Sequence, residues 1–132
     1  MRQISSHDIL ATAKHCAAEG TEGGARSATS RAYYSMLHEA MESLEYLPNF
    51  THEHHKNTVG YMTSPAECKN ESFPPRSLKS LGFILKQWRD ARNEADYDLV
   101  GVTWTQENAQ DAIEAAEEFF QRWSDLKASK AS

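Results

Sequence analysis

Apolar residues recur at three- and four-residue steps in four segments of this chain, the spacing of one face of an α-helix. In residues 8–19 the stripe is Ile9, Leu10, Ala13, Cys16 and Ala17. Ser5 with Asp8 three residues on has the form of a capping box, and Gly20, Gly23 and Gly24 are expected to end this helix and open a loop. In residues 28–47, Tyr33, Leu37, Ala40, Leu44 and Leu47 repeat, Met36 and Met41 widen the stripe, and Pro48 is the expected stop. Ser27, Arg31, Tyr34 and His38 form a second, polar stripe on this helix, and an apolar face beside an ordered polar one is the pattern of a helix that lines a pocket. In residues 76–95 the stripe is Leu78, Leu81, Leu85, Trp88, Arg92 and Ala95, with Ile84 and Ala91 beside it, so Arg92 continues an apolar face as a charge. In residues 106–127 the inner face is Ala109, Ala112, Ile113, Ala116, Phe119, Phe120 and Trp123, the outer face carries Glu114, Glu117 and Glu118, and Thr103 or Thr105 is available as a cap.

Between the second and third segments lie residues 48–75, which hold all four prolines. A connection this long is unusual without structure of its own, so a short helix over residues 54–62 and a surface loop over residues 63–75 are expected. Residues 98–104 read as a connector rather than a strand, and residues 128–132 as a frayed tail. The pattern predicts an all-α fold, an up-and-down bundle of four to five helices with one longer crossover, forming a single domain over residues 1–132 with residues 5–127 ordered. The Arg92 helix is more apolar than one internal face requires, which points to association through it, and a homodimer is the commonest closed arrangement.

Composition narrows the classes. The chain has 132 residues, 39% hydrophobic and 25% charged, enough to bury a core without disulfide or metal staples. A net charge of −5 argues against a protein coated in basic charge for nonspecific duplex binding. The distribution is uneven: residues 76–92 carry Arg76, Lys79, Lys86, Arg89 and Arg92 against Asp90 alone, a local +4 that leaves −9 for the remainder. Two cysteines, Cys16 and Cys68, make no disulfide framework, the start MRQISSHDIL lacks an apolar stretch, and no run has the length of a membrane span. The expected setting is cytoplasmic, with no membrane partner, and the two glycosylation sequons at Asn49 and Asn70 are read as chance.

Several chemistries can be weighed residue by residue. Di-iron sites in bundles need Glu-x-x-His pairs, and no Glu stands three residues before any His, so no metal and no cofactor is expected. The His-rich run Thr51-His52-Glu53-His54-His55 is read as a solvated helix start. Cys16 on an apolar face and Cys68 in a loop have no local activating partner, and the glycines at 20–24 lack the Lys of a phosphate-binding loop. Arg92 and Asp96 stand four apart, which makes a helical ion pair available. A lone charge on an apolar stripe must be paired or lie in a wet cleft, and the planar guanidinium suits phosphate. Both readings of Arg92, structural pair and phosphate contact, follow from the residues.

Ser30-Arg31-Ala32-Tyr33-Tyr34-Ser35-Met36-Leu37-His38-Glu39-Ala40 resembles the second helix of HEPN-domain proteins, small helical bundles of prokaryotic defence and toxin systems. Arg92-Asn93-Glu94-Ala95-Asp96-Tyr97 resembles the RxxADY signature of one HEPN subgroup, and His55 sits where that subgroup often has a His opening its short middle helix. The resemblance covers about residues 5–125. It implies a symmetric dimer and, for active members with Arg-x4–6-His, metal-independent endoribonuclease chemistry that leaves a 2′,3′-cyclic phosphate and a 5′-hydroxyl. This chain departs at the second motif residue: Tyr97 stands five after Arg92, and no His follows Arg92. A phenol with an ordinary pKa of about 10 is a poor base at neutral pH.

The resemblance therefore leads to two expectations. In the first, the protein is a toxin–antitoxin, antiviral or stress-response RNA endonuclease, with Arg92, Asn93, Tyr97 and His38 catalytic and Arg31, Tyr34, Arg89 and Asp96 contacting phosphate or RNA. In the second, it is an inactive RNA- or nucleotide-binding assembly module that works with a partner such as a minimal nucleotidyltransferase.

Overall fold

A computed structural model describes residues 4–131. Among them are five helices and no strand: α1 (Ser6–Ala18), α2 (Glu22–Ser43), α3 (His54–Thr63), α4 (Pro75–Tyr97) and α5 (Gln106–Ala131). Helix α2 is the hub; α1, α4 and α5 all pack on it, while α3 packs on α4. The core between them contains Tyr33 and Met36 of α2, Met62 of α3, Leu78, Leu81 and Leu85 of α4, and Phe119 and Trp123 of α5. Trp123 receives Phe73 edge-on, with ring centroids 5.3 Å apart. A smaller cluster joins Ala25 and Ala28 to Ala95, Trp104 and Ala109, and there the Trp104 indole N–H donates to Thr29 Oγ1 at 2.8 Å.

The helix starts follow local chemistry. Ser5 and Asp8 form the expected capping box of α1, and Thr105 caps α5 by accepting from the Asn108 N–H at 3.1 Å. Helix α2 starts six residues earlier than the apolar period predicts, and Gly23 and Gly24 lie in its first turn rather than in a loop. Thr21 supplies the cap, accepting from the Gly24 N–H at 3.0 Å. Only Gly20, at φ +74°, ends α1 in the left-handed conformation a glycine adopts freely. Gly24 is small for another reason: a Cβ there would lie 2.4 Å from the Cys16 carbonyl oxygen, so the two helices meet backbone to backbone.

Helix α2 also ends early, at Ser43 rather than near Leu47. The buried carboxylate of Glu71 accepts from the backbone N–H groups of Glu45 and Tyr46, both at 2.8 Å, and from the Tyr61 hydroxyl at 2.6 Å. These bonds satisfy the chain as it leaves the helix before Pro48 is reached. The loop expected at the surface over residues 63–75 is thus anchored, since Cys68, Glu71 and Phe73 all turn inward. The tail expected to fray from residue 128 is instead helical through Ala131. Lys130 reaches Glu45 at 2.8 Å and lies over the Phe73 ring at 5.1 Å; residue 132 and the first three residues lie outside those described. No helix among the described residues is long and apolar enough to cross a membrane.

Arg26 holds the far end of α4 and was passed over by the sequence pattern because it fell in an apparent loop. The residue is buried, 8% exposed. Nη1 donates toward the carbonyls of Glu94 (3.3 Å), Ala95 (2.9 Å) and Asp98 (3.1 Å), and Nη2 donates to the Val102 carbonyl and to Glu22 at 2.9 Å. Nε donates to the same Glu22 oxygen, Oε2, at 3.1 Å, and that oxygen also accepts from the Trp104 N–H at 3.0 Å. The Trp104 N–H and then Arg26 hold the Glu22 carboxyl below its ordinary pKa. A helix C-terminus leaves carbonyls without intrahelical partners, and Arg26 satisfies them from another helix.

Candidate phosphate-facing cleft

Next to the end of α4 that Arg26 secures, α2, α3 and α4 enclose a cleft of about 520 Å³. The polar stripe of α2 supplies Tyr34 and His38, α4 supplies Arg89 and Arg92, and the start of α3 supplies Glu53, His54 and His55; Leu37 and Met41 form an apolar end. Glu53 turns the chain into α3 in a left-handed conformation, φ 51° and ψ 45°, which a non-glycine residue adopts at a cost of about 1–2 kcal/mol. That turn brings three consecutive polar side chains to the cleft wall.

Arg92 is held from three directions. Its Nη2 donates to the Tyr34 hydroxyl at 2.6 Å and its Nη1 to Asn93 Oδ1 at 2.9 Å. Nε lies 3.0 Å from Asp96 Oδ2, an ion-pair contact in which the N–H itself forms no hydrogen bond. Asp96 also accepts from the Ser30 hydroxyl at 3.1 Å. A guanidinium has five N–H groups. Each terminal nitrogen of Arg92 uses one of its two, which leaves one N–H on each for a ligand. The side chain is 17% exposed, so this fork is withdrawn without being sealed. Arg92 is thus ion-paired, as the structural reading expects, and the same side chain also lines the cleft.

Tyr34 lies within cation–π range of two arginines, 4.8 Å from ring centroid to Arg31 and 5.0 Å to Arg92. Arg31 itself is exposed and does not line the cleft. Asn93 and Asp96 orient Arg92 rather than facing the cleft. Tyr97 is 72% exposed and lies outside it, its ring 5.6 Å from the Arg92 guanidinium. His38 and Arg89 are exposed residues on the cleft wall.

The sequence reading assigned His55 to a solvated helix start. His52 and His54 are exposed, but His55 is half-buried, with Nδ1 2.5 Å from the hydroxyl of the core residue Tyr33. Burial first, and then the positive charge of Arg89, lower the His55 pKa from 6.5 to about 4; Asp90 opposes this and Arg92 adds to it. Burial pushes the Tyr33 phenol well above its ordinary value. Spacing from the helix start does not separate His55 from its neighbours, since α3 begins at the exposed His54. Among the described residues, no three of His, Cys, Asp or Glu are grouped so as to hold a metal ion.

Comparison of the chain with protein-family models, with curated proteins and with solved structures gives no match.

Proposed function

We propose that this cleft binds the phosphate backbone of RNA and that the protein is a HEPN-like, metal-independent endoribonuclease of a toxin–antitoxin, antiviral or stress-response system. The observation that carries the reading is the Arg92 fork: a partly withdrawn guanidinium, oriented by Tyr34, Asn93 and Asp96, with one N–H free on each terminal nitrogen, in a cleft that also holds Arg89 and three imidazoles. Cleavage of RNA in this way is a transesterification. The 2′-oxygen attacks phosphorus as its proton leaves, the O2′–P bond forms and the P–O5′ bond breaks. Arg92 and Arg89 offset the charge that builds on the nonbridging oxygens. His38, with no hydrogen-bond partner among the described residues, accepts the 2′-hydroxyl proton; the departing O5′ takes one from water, and His38 returns its proton to solvent. A cytoplasmic homodimer associating through α4, which exposes Phe83, belongs to the same reading.

Wild-type protein and Arg92→Ala are to be incubated with RNA in the presence of chelator, and the products analysed for 2′,3′-cyclic phosphate ends. Cleavage by the wild type alone is expected; equal cleavage by a folded Arg92→Ala variant overturns the assignment.

The position of Tyr97 favours a second reading. At the place where a motif His would follow Arg92, an exposed phenol stands outside the cleft. In that reading the cleft binds RNA or a nucleotide without cutting it, and a partner such as a minimal nucleotidyltransferase does the chemistry. RNA binding that depends on Arg92 without any cyclic-phosphate product selects it.

A further inference from the structure

His55 and Tyr33 form a contact that neither reading of the cleft uses. Tyr33 is a core side chain whose hydroxyl meets His55 Nδ1, and the two rings lie tilted with centroids 5.6 Å apart. A phenol is a stronger hydrogen-bond donor than a neutral imidazole N–H, and an imidazole nitrogen is a better acceptor than a phenol oxygen. The O–H therefore donates to Nδ1, and the proton of the neutral ring sits on Nε2. Nε2 has no protein partner among the described residues, and the ring lines the same cleft as Arg89 and Arg92.

We propose that His55 is a positioning donor of this cleft, a neutral imidazole whose tautomer is set by Tyr33 and whose Nε2–H adds one directed hydrogen bond to the oxyanion drawn in by Arg89 and Arg92. This rests on the reading of the cleft as a phosphate site. The surroundings agree with a neutral ring. Helix α4 sets Arg89 and Arg92 against it with Asp90 as the opposing carboxylate, and α2 contributes Tyr33, Tyr34 and His38. Its own helix start adds Glu53 and His54. Partial burial beside two cations keeps His55 unprotonated until about pH 4. It thus fixes the direction of a phosphate oxygen without adding a third positive charge. A ring with Nδ1 occupied and Nε2 protonated has no lone pair for base catalysis, which leaves that role to another imidazole of the cleft, His38 in the reading above.

Nitrogen-15 NMR of histidine-labelled protein reads the tautomer directly. The Nε2–H form of His55 is expected to persist from about pH 8 to about pH 5.5, with a mixture of tautomers in Tyr33→Phe. A His55 that titrates near its ordinary value, or carries its proton on Nδ1, overturns the proposal. Binding is measured with a short 2′-O-methyl RNA oligonucleotide, which resists cleavage at the 2′-oxygen. His55→Gln keeps an N–H near the Nε2 position and is expected to bind within about threefold of wild type, whereas His55→Ala loses about tenfold or more. Circular dichroism checks that each variant folds. Wild-type binding by His55→Ala, with binding lost in Arg92→Ala, sinks the donor role and leaves the phosphate site standing. Absence of binding by the wild type sinks both.

Discussion

Arg26 and Arg92 are both drawn away from solvent, and both lie near the end of α4, Arg26 reaching it from α2, yet their surroundings differ in kind. Arg26 directs all five N–H groups at protein oxygens: the Glu22 carboxylate and the backbone carbonyls of Glu94, Ala95, Asp98 and Val102, at the end of α4 and just beyond it. Arg92 is oriented by Tyr34, Asn93 and Asp96 but keeps one N–H on each terminal nitrogen, and it lines a cleft. A saturated guanidinium is a structural tie; an oriented but unsaturated one is, on the proposed function, prepared for a ligand. The number of donors left over separates the two roles better than burial does.

The largest effect expected from this contrast is on Arg26. Arg26→Ala leaves the carbonyls at the end of α4 and the Glu22 carboxylate without their common partner, and should lower unfolding stability by about 3–5 kcal/mol in urea denaturation. A loss below about 1 kcal/mol would break the contrast. Arg26→Lys comes next: one ammonium cannot reproduce a planar fork serving acceptors on two sides, so it should recover less than half of that loss in the same assay. Arg92→Ala should show the opposite profile, costing less than about 1 kcal/mol of stability because Asp96 keeps the Ser30 hydroxyl, while oligonucleotide binding falls at least about tenfold.

The smallest effect is a pH dependence. The folded pKa of His55, about 4, lies below its unfolded value of 6.5, so between them the unfolded chain binds more protons and stability falls as pH falls. The slope should amount to less than about 1 kcal/mol after solvent screening. It should vanish in His55→Gln and shrink in Arg89→Ala, which removes the cation that ranks next after burial in lowering the His55 pKa. A slope that persists in His55→Gln would locate the titration elsewhere.

The sequence made Arg92 legible because it interrupts an apolar stripe, and an interruption in a periodic pattern can be seen without coordinates. The polar stripe of α2 was legible in the same way and brings Tyr34 and His38 to the cleft. Arg26 was not, since its acceptors are backbone oxygens about seventy residues away, and backbone carbonyls carry no side-chain signal. Glu71 escaped notice for the same reason: it looks like a polar loop residue until its carboxylate is seen closing the end of α2. His55 was hidden among exposed histidines, because a run of one residue type does not say which member turns inward. Helix bodies follow from side-chain periodicity. Helix ends depended here on remote capping groups and were displaced by several residues at both ends of α2.

The close approach at Gly24 bears on ancestry. With the Cys16 carbonyl only 2.4 Å from where a Cβ would stand, a descendant that keeps the α1–α2 contact must keep glycine at this point, however far the rest of its sequence drifts. A glycine in the first turn of the second helix, two residues before an arginine and six before a serine that meets the acid of an Arg-x3-Asp pair, is a fingerprint made of geometry. Distant kin of this chain can be sought by that spacing when overall similarity has faded.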